Sequence, residues 1–130
     1  MCIRDRVIIS HCSIIGDDLI DFLNVFKTSD FEIVNGSDKN IQFGTTTEYV
    51  VEAIKKADKG EGVLVILDLG SSIDCAIHAK KLLEGKIKVE IADAPMIEGA
   101  ISAVAGNDET IDLKTLKKIA EDSKEFRKVK

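Results

Sequence analysis

Hydrophobic residues recur along this chain with two alternating periods. Val7-Ile8-Ile9-Ser10 is a short β-branched run, continuous enough to predict a strand buried on both faces. Leu19, Phe22, Leu23 and Phe26 then recur at i, i+3, i+4 and i+7, the stripe of an amphipathic helix. Residues 31–34 predict a second strand, and a polar, turn-rich loop fills 35–44. Thr45-Thr46-Thr47-Glu48 has the spacing of a capping box, so a helix is expected there with Val50, Ala53, Ile54 and Ala57 inward. Gly60-Glu61-Gly62 breaks it.

Residues 63–67, Val-Leu-Val-Ile-Leu, form the strongest strand signal and end abruptly in Asp68-Leu69-Gly70-Ser71-Ser72. A helix follows, with Ala76, Ala79 and Leu83 on one face and Gly85 just past its end. Residues 87–91 alternate Ile87, Val89 and Ile91 with Lys88 and Glu90, as a sheet-edge or half-exposed strand does. Ile97, Ala100, Ile101 and Val104 make another helical stripe closed by Gly106. A last helix runs from about Asp112 into a Lys-rich tail, with Leu113, Leu116 and Ala120 inward. The order β-α-β-α-β-α-β-α-α predicts an α/β domain: a mainly parallel four-stranded sheet flanked by helices, with right-handed crossovers. Residues 1–6 are charged and without period, and are expected to be a frayed or non-native leader to a single domain over 7–130.

Composition narrows the function. The 130 residues suit one core, and 45% hydrophobic with 32% charged residues is a globular balance. Lys plus Arg is 18 against 23 for Asp plus Glu, a net charge of −5, and the Lys-rich stretches 114–118 and 124–130 are interleaved with acids. A solvated helix face is expected there rather than a nucleic-acid surface. No apolar run nears the roughly 20 residues of a membrane span, and no signal peptide is visible. Cys2, Cys12 and Cys75 are odd in number and lack CxxC spacing, which predicts a reducing, cytoplasmic setting.

In an open parallel sheet, chemistry sits beyond the carboxyl ends of the strands. There the chain delivers His11 after strand one, Gly44-Thr45 after strand two, Asp68 with Gly70-Ser71 after strand three, and Asp93 with Pro95 after strand four. A neutral imidazole attacks phosphorus without prior deprotonation and is a good leaving group afterwards, so His11 can carry a phosphoryl group. Its second ring nitrogen needs an acceptor, a role for Asp68. Backbone N–H groups of Gly70, Ser71 and Ser72 at a helix start, with the Thr45 hydroxyl, can hold phosphate oxygens. The same residues also read as an ordinary strand-end histidine and two helix caps.

Cys75 and His78 lie three apart on one helix, but the scattered cysteines offer no zinc set, and a plain helix pair is expected. Cys12 reads as a small apolar neighbour of His11. Asp17, Asp18 and Asp21 are expected to complement the first helix's dipole. Neither GxGxxG nor GxxxxGK[ST] occurs, so a nucleotide loop lacks support and no metal or bound cofactor is expected.

Four pieces, Val7-Ile8-Ile9-Ser10-His11, Gly44-Thr45, Leu67-Asp68-Leu69-Gly70-Ser71 and the stretch from Ala92-Asp93-Ala94-Pro95 to Ala100, carry a resemblance. The chain resembles the phosphoryl-donor subunits of phosphotransferase-system-dependent dihydroxyacetone kinases (the DhaM family), similar in fold to mannose-family IIA domains, over residues 7 to about 118. The resemblance implies that His11 takes a phosphoryl group from the phosphocarrier HPr. It implies transfer onward to ADP held by a partner kinase subunit, while a third subunit binds dihydroxyacetone. It implies a homodimer, and it makes Asp68 the carboxylate beside the active histidine. Longer members carry HPr-like and enzyme-I-like extensions, for which this chain is too short. The chain departs from the family at Cys12 and Ser72, where Ser and Ala are common, and this bears on the pocket rim. A IIA component of a mannose-type sugar transporter and a non-enzymatic regulatory dimer with a structural His11 are the alternatives.

Overall fold

The computed structural model describes residues 5–9, 12–27, 31–107 and 110–129. Four strands, β1 (Asp5–Ile9), β2 (Ile33–Asn35), β3 (Val63–Leu67) and β4 (Val89–Ile91), pair in parallel in the order β2-β1-β3-β4. Five α-helices connect and flank them: α1 (Ser13–Leu23), α2 (Thr47–Ala57), α3 (Ser71–Leu82), α4 (Met96–Gly106) and α5 (Leu113–Asp122). This is the α/β architecture the periodicities imply.

Two apolar layers sandwich the sheet. Val63, Val65 and Leu67 of β3 pack with Ile9 against Val50, Ile54 and Ala57 of α2 and Ala76 and Ala79 of α3. Leu64 and Ile66 point the other way, with Ile8, onto Leu19 and Leu23 of α1, Ala100 and Val104 of α4, and Leu116 and Ala120 of α5. Every residue of β3 is therefore buried, as its unbroken hydrophobicity requires.

Several boundaries differ from the sequence expectation, each for a local reason. β1 begins at Asp5, so Asp5 and Arg6 pair with Val63 and Leu64 instead of preceding the sheet; residues 1–4 of the expected leader, and Ser10, lie outside the described residues. β2 starts two residues late, because its register with β1 opens at Ile33, while Phe31 is buried ahead of the strand. Ile87 stays out of β4 because its N–H donates to Leu83 O at 3.0 Å, closing the end of α3. Phe22 and Ile97 sit on the inward stripes by spacing, yet both are about half exposed, at 50% and 49%. Phe22 instead stacks edge-on with Phe26, centroids 5.1 Å apart. Small residues, Gly99, Ala100 and Ala103, bring α4 close to its neighbours in place of Ile97.

Candidate functional site at the carboxyl edge of the sheet

The chain leaves β1 toward β2 on one side and later returns to β3 on the other, so the order reverses between β1 and β3. Such a reversal opens a crevice beyond the strand ends. The two strands stay joined past their last residues, since the Asp68 amide donates to Ile9 O at 3.1 Å. The Asp68 carboxylate is half-buried, and its Oδ1 accepts from Leu69 N at 2.7 Å. This bond orients the carboxylate at the strand terminus. Gly70 then turns the chain into α3 with φ +69°, a left-handed conformation that favours glycine.

Asp68 forms one wall of a small cavity of about 210 Å³, with Ile73 of α3 beside it and Ala92, Asp93 and Ala94, from the loop after β4, opposite. That volume is below the roughly 300–1,000 Å³ typical of small-molecule sites. Larger grooves of about 500 and 440 Å³ lie along the edge strands β2 and β4. The small crevice is the better candidate, because it alone of the three holds Asp68.

The other expected site residues divide. Ser71 is exposed at the first position of α3, where main-chain N–H groups have no partner within the helix. Ser72 is buried, so its side chain faces the interior and only its backbone can serve a ligand. Thr45 does not cap α2: its hydroxyl donates to Gly36 O at 2.7 Å, and Thr46 caps instead, accepting from Tyr49 N at 3.1 Å. The N-cap is thus displaced by one residue, with Thr45 engaged across the loop, and Glu48 falls at the second helical position instead of the third that a capping box requires. Thr45 still lies against α3, since Cys75 Sγ donates to its carbonyl at 3.8 Å. His11 lies outside the described residues.

Asp17, Asp18 and Asp21 do not complement the start of α1, whose first turn holds no acid. Asp17 Oδ1 accepts from Asn35 Nδ2 at 2.9 Å. Asn35 also donates to Ser13 O at 3.0 Å and accepts from Ser37 N at 2.9 Å. It clamps the start of α1 onto the end of β2, an organising role that no local periodicity signals. Among the described residues no three His, Cys, Asp or Glu side chains gather into a metal-binding group. His78 is exposed on α3, whereas Cys75 is half-buried against the α2 side of the core.

Exposed apolar side chains follow each strand: Ile14 at the start of α1, Phe43 after β2, Leu69 after β3 and Ile97 at the start of α4. No helix among the described residues is long and apolar enough to cross a membrane.

Comparison with known proteins agrees with the fold. The crystal structure of the unknown-function protein EF1359 superposes with a TM-score of 0.75, covering 92% of this chain and 94% of that one at 21% identity, which shows the shared fold. The phosphoryl donor subunit DhaM of the PEP-dependent dihydroxyacetone kinase of Escherichia coli strain K12 is 34% identical over 103 residues. That match takes in 75% of this chain, and the chain spans only 22% of the length of that relative. The phosphoryl donor subunit DhaM of PEP-dependent dihydroxyacetone kinase 2 from Listeria innocua is 28% identical over 100 residues, covering 75% of this chain and 80% of its own. The profile of the EIIA-man family, described as the PTS system fructose IIA component, matches residues 6–117, and the chain belongs to that family.

Proposed function

We propose that this chain, from β1 at Asp5 onward, acts as a cytoplasmic phosphocarrier domain of a phosphoenolpyruvate-dependent dihydroxyacetone kinase, with His11 as the carrier. The observation that carries this reading is the backbone hydrogen bond from Asp68 N to Ile9 O, which holds the residue bearing the carboxylate beside the end of β1 at the sheet's reversal point. In the sequence, His11 is the second residue after β1 and directly precedes Cys12, the N-cap of α1. The names of the DhaM relatives support the same role.

In this reading an imidazole nitrogen of His11 attacks the phosphorus of phospho-HPr. A nitrogen–phosphorus bond forms as the donor's bond to phosphorus breaks, and the donor keeps that electron pair. Asp68 accepts from the other ring N–H and favours the cationic ring that results. The N–H groups at the start of α3 face the phosphoryl oxygens. Thr45 supplies its hydroxyl only after turning away from Gly36 O. In the onward step an oxygen of ADP held in the kinase subunit attacks the phosphorus, the nitrogen–phosphorus bond breaks, and neutral imidazole leaves with that electron pair. The crevice suits a carried phosphoryl group better than a sugar or nucleotide. The exposed Ile14, Phe43, Leu69 and Ile97, which follow the four strands, support docking of protein partners.

The test is reconstitution. Phosphorylated domain is mixed with dihydroxyacetone, with and without the ADP-loaded kinase subunit and the dihydroxyacetone-binding subunit. Dihydroxyacetone phosphate is expected only with both. Product from the domain alone would displace it from this position in the relay. No product despite both subunits and a phosphorylated domain would favour a sugar-transporter IIA component.

A further inference from the structure

The loop after β4 supplies one wall of the Asp68 crevice through Ala92, Asp93 and Ala94, and it is held from outside the site. Glu121, in the last turn of α5, accepts from the Asp93 amide at 2.9 Å through Oε2. One turn on, Lys124 Nζ approaches Asp93 Oδ2 at 3.4 Å. The other flank of the loop has no slack: a Cβ on Gly99 of α4 would come within 2.8 Å of Ala94 Cβ. The same added atom would sit 3.4 Å from Ala120 O and 3.5 Å from Ser123 Oγ. The loop is therefore wedged between α4 and the end of α5, and Glu121 grips its backbone 28 residues away in sequence.

The geometry points to Glu121 as a positioning residue that fixes the crevice wall facing Asp68, so that phosphoryl transfer depends on the end of α5. This rests on the phosphocarrier reading of the crevice. Glu121 touches neither Asp68 nor the phosphoryl group in this role. It acts through the Asp93 amide, and an error of about 1 Å in a reacting group's surroundings can cost on the order of a hundredfold in rate.

Glu121→Ala and Glu121→Gln separate positioning from simple structural support. The carboxamide oxygen of Gln can still accept from Asp93 N, whereas Ala cannot. Single-turnover transfer from phospho-HPr is followed as a function of donor concentration, and amide exchange at Asp93 is read by NMR on the same unphosphorylated proteins. For Glu121→Ala we expect a limiting rate on the order of tenfold lower, with donor half-saturation within about twofold. Its Asp93 amide should exchange faster, and Gln should restore both properties. An unchanged limiting rate for Glu121→Ala, or equal losses in Ala and Gln, would overturn the inference. If the wild type accepts no phosphoryl group, the phosphocarrier reading fails and the dependence of transfer on α5 falls with it, while the exchange data still decide whether Glu121 holds the loop. Unaltered Asp93 exchange in Glu121→Ala would overturn the clamp, and faster exchange restored by Gln would uphold it.

Discussion

Gly16 lies on the buried face of α1, and adding one methyl group there isolates the clamp that seats this helix. A Cβ at Gly16 would fall 2.7 Å from Asn35 Oδ1 and 2.8 Å from Asn35 Nδ2. The Asn35 carboxamide cannot simply swing aside, because it makes hydrogen bonds to Ser13 O, Asp17 Oδ1 and Ser37 N. Expelling it forfeits those three bonds, at about 0.5–1.5 kcal/mol each. Alanine returns about 1 kcal/mol of helix propensity relative to glycine. Gly16→Ala should therefore destabilise the domain by about 0.5–3.5 kcal/mol, the bond loss exceeding the propensity gain. Urea denaturation at constant m-value measures this directly. The control is the same substitution in an Asn35→Ala background, where the obstructing atoms are gone. There it should be neutral or stabilising by up to about 1 kcal/mol. Equal destabilisation in both backgrounds, or a Gly16→Ala protein as stable as wild type, would refute the clamp.

Other outcomes follow from the site and its surroundings. Asp68→Asn keeps an oxygen for Leu69 N but loses the charge that favours imidazolium, so transfer should slow by about 5- to 150-fold, equivalent to about 1–3 kcal/mol, in a folded protein; unchanged kinetics would remove Asp68 from the orienting role. The Lys128 ammonium hydrogen-bonds the Glu98 carboxylate at 2.9 Å and holds its pKa below the ordinary range, while Lys128 is raised. The contribution of that pair is thus present between the two values. It is lost as pH falls through the lowered Glu98 value or rises through the raised Lys128 value. Lys128→Ala should move the Glu98 carboxyl titration upward by NMR, and no movement would show that the tail contact is not formed in solution. The short edge strand β4, with exposed Ile77 and Leu82 on the adjacent helix, leaves apolar surface for a homodimer; sedimentation equilibrium at micromolar concentration should give the dimer mass, and a monomer mass throughout would contradict it.

The sequence made most of the framework legible because the sheet is buried on both faces. Residues 63–67 could only be an interior strand, and the inward sets of α2 and α5 follow from spacing alone. Less legible were features decided between elements. Ile97 has the right phase for burial but is left outside because Gly99 and Ala103 allow α4 a closer approach. Local spacing favours Thr45 over Thr46 as the cap, but Thr45 is engaged by a carbonyl nine residues back, Gly36 O, and Thr46 caps instead. Asp68 was readable from its place after the strongest strand. Asn35 and Glu121 were not, since each acts on a partner 18 to 28 residues away. Polar side chains that hold backbone at a distance leave no period in a sequence.

The most direct test of the phosphocarrier role is mapping the phosphoryl group after incubation with phospho-HPr. Intact mass should show one added phosphoryl group on the wild-type chain, lost on acid treatment. His11→Ala, still folded, should show none. Labelling that persists in His11→Ala, or that maps to His78, would contradict the account.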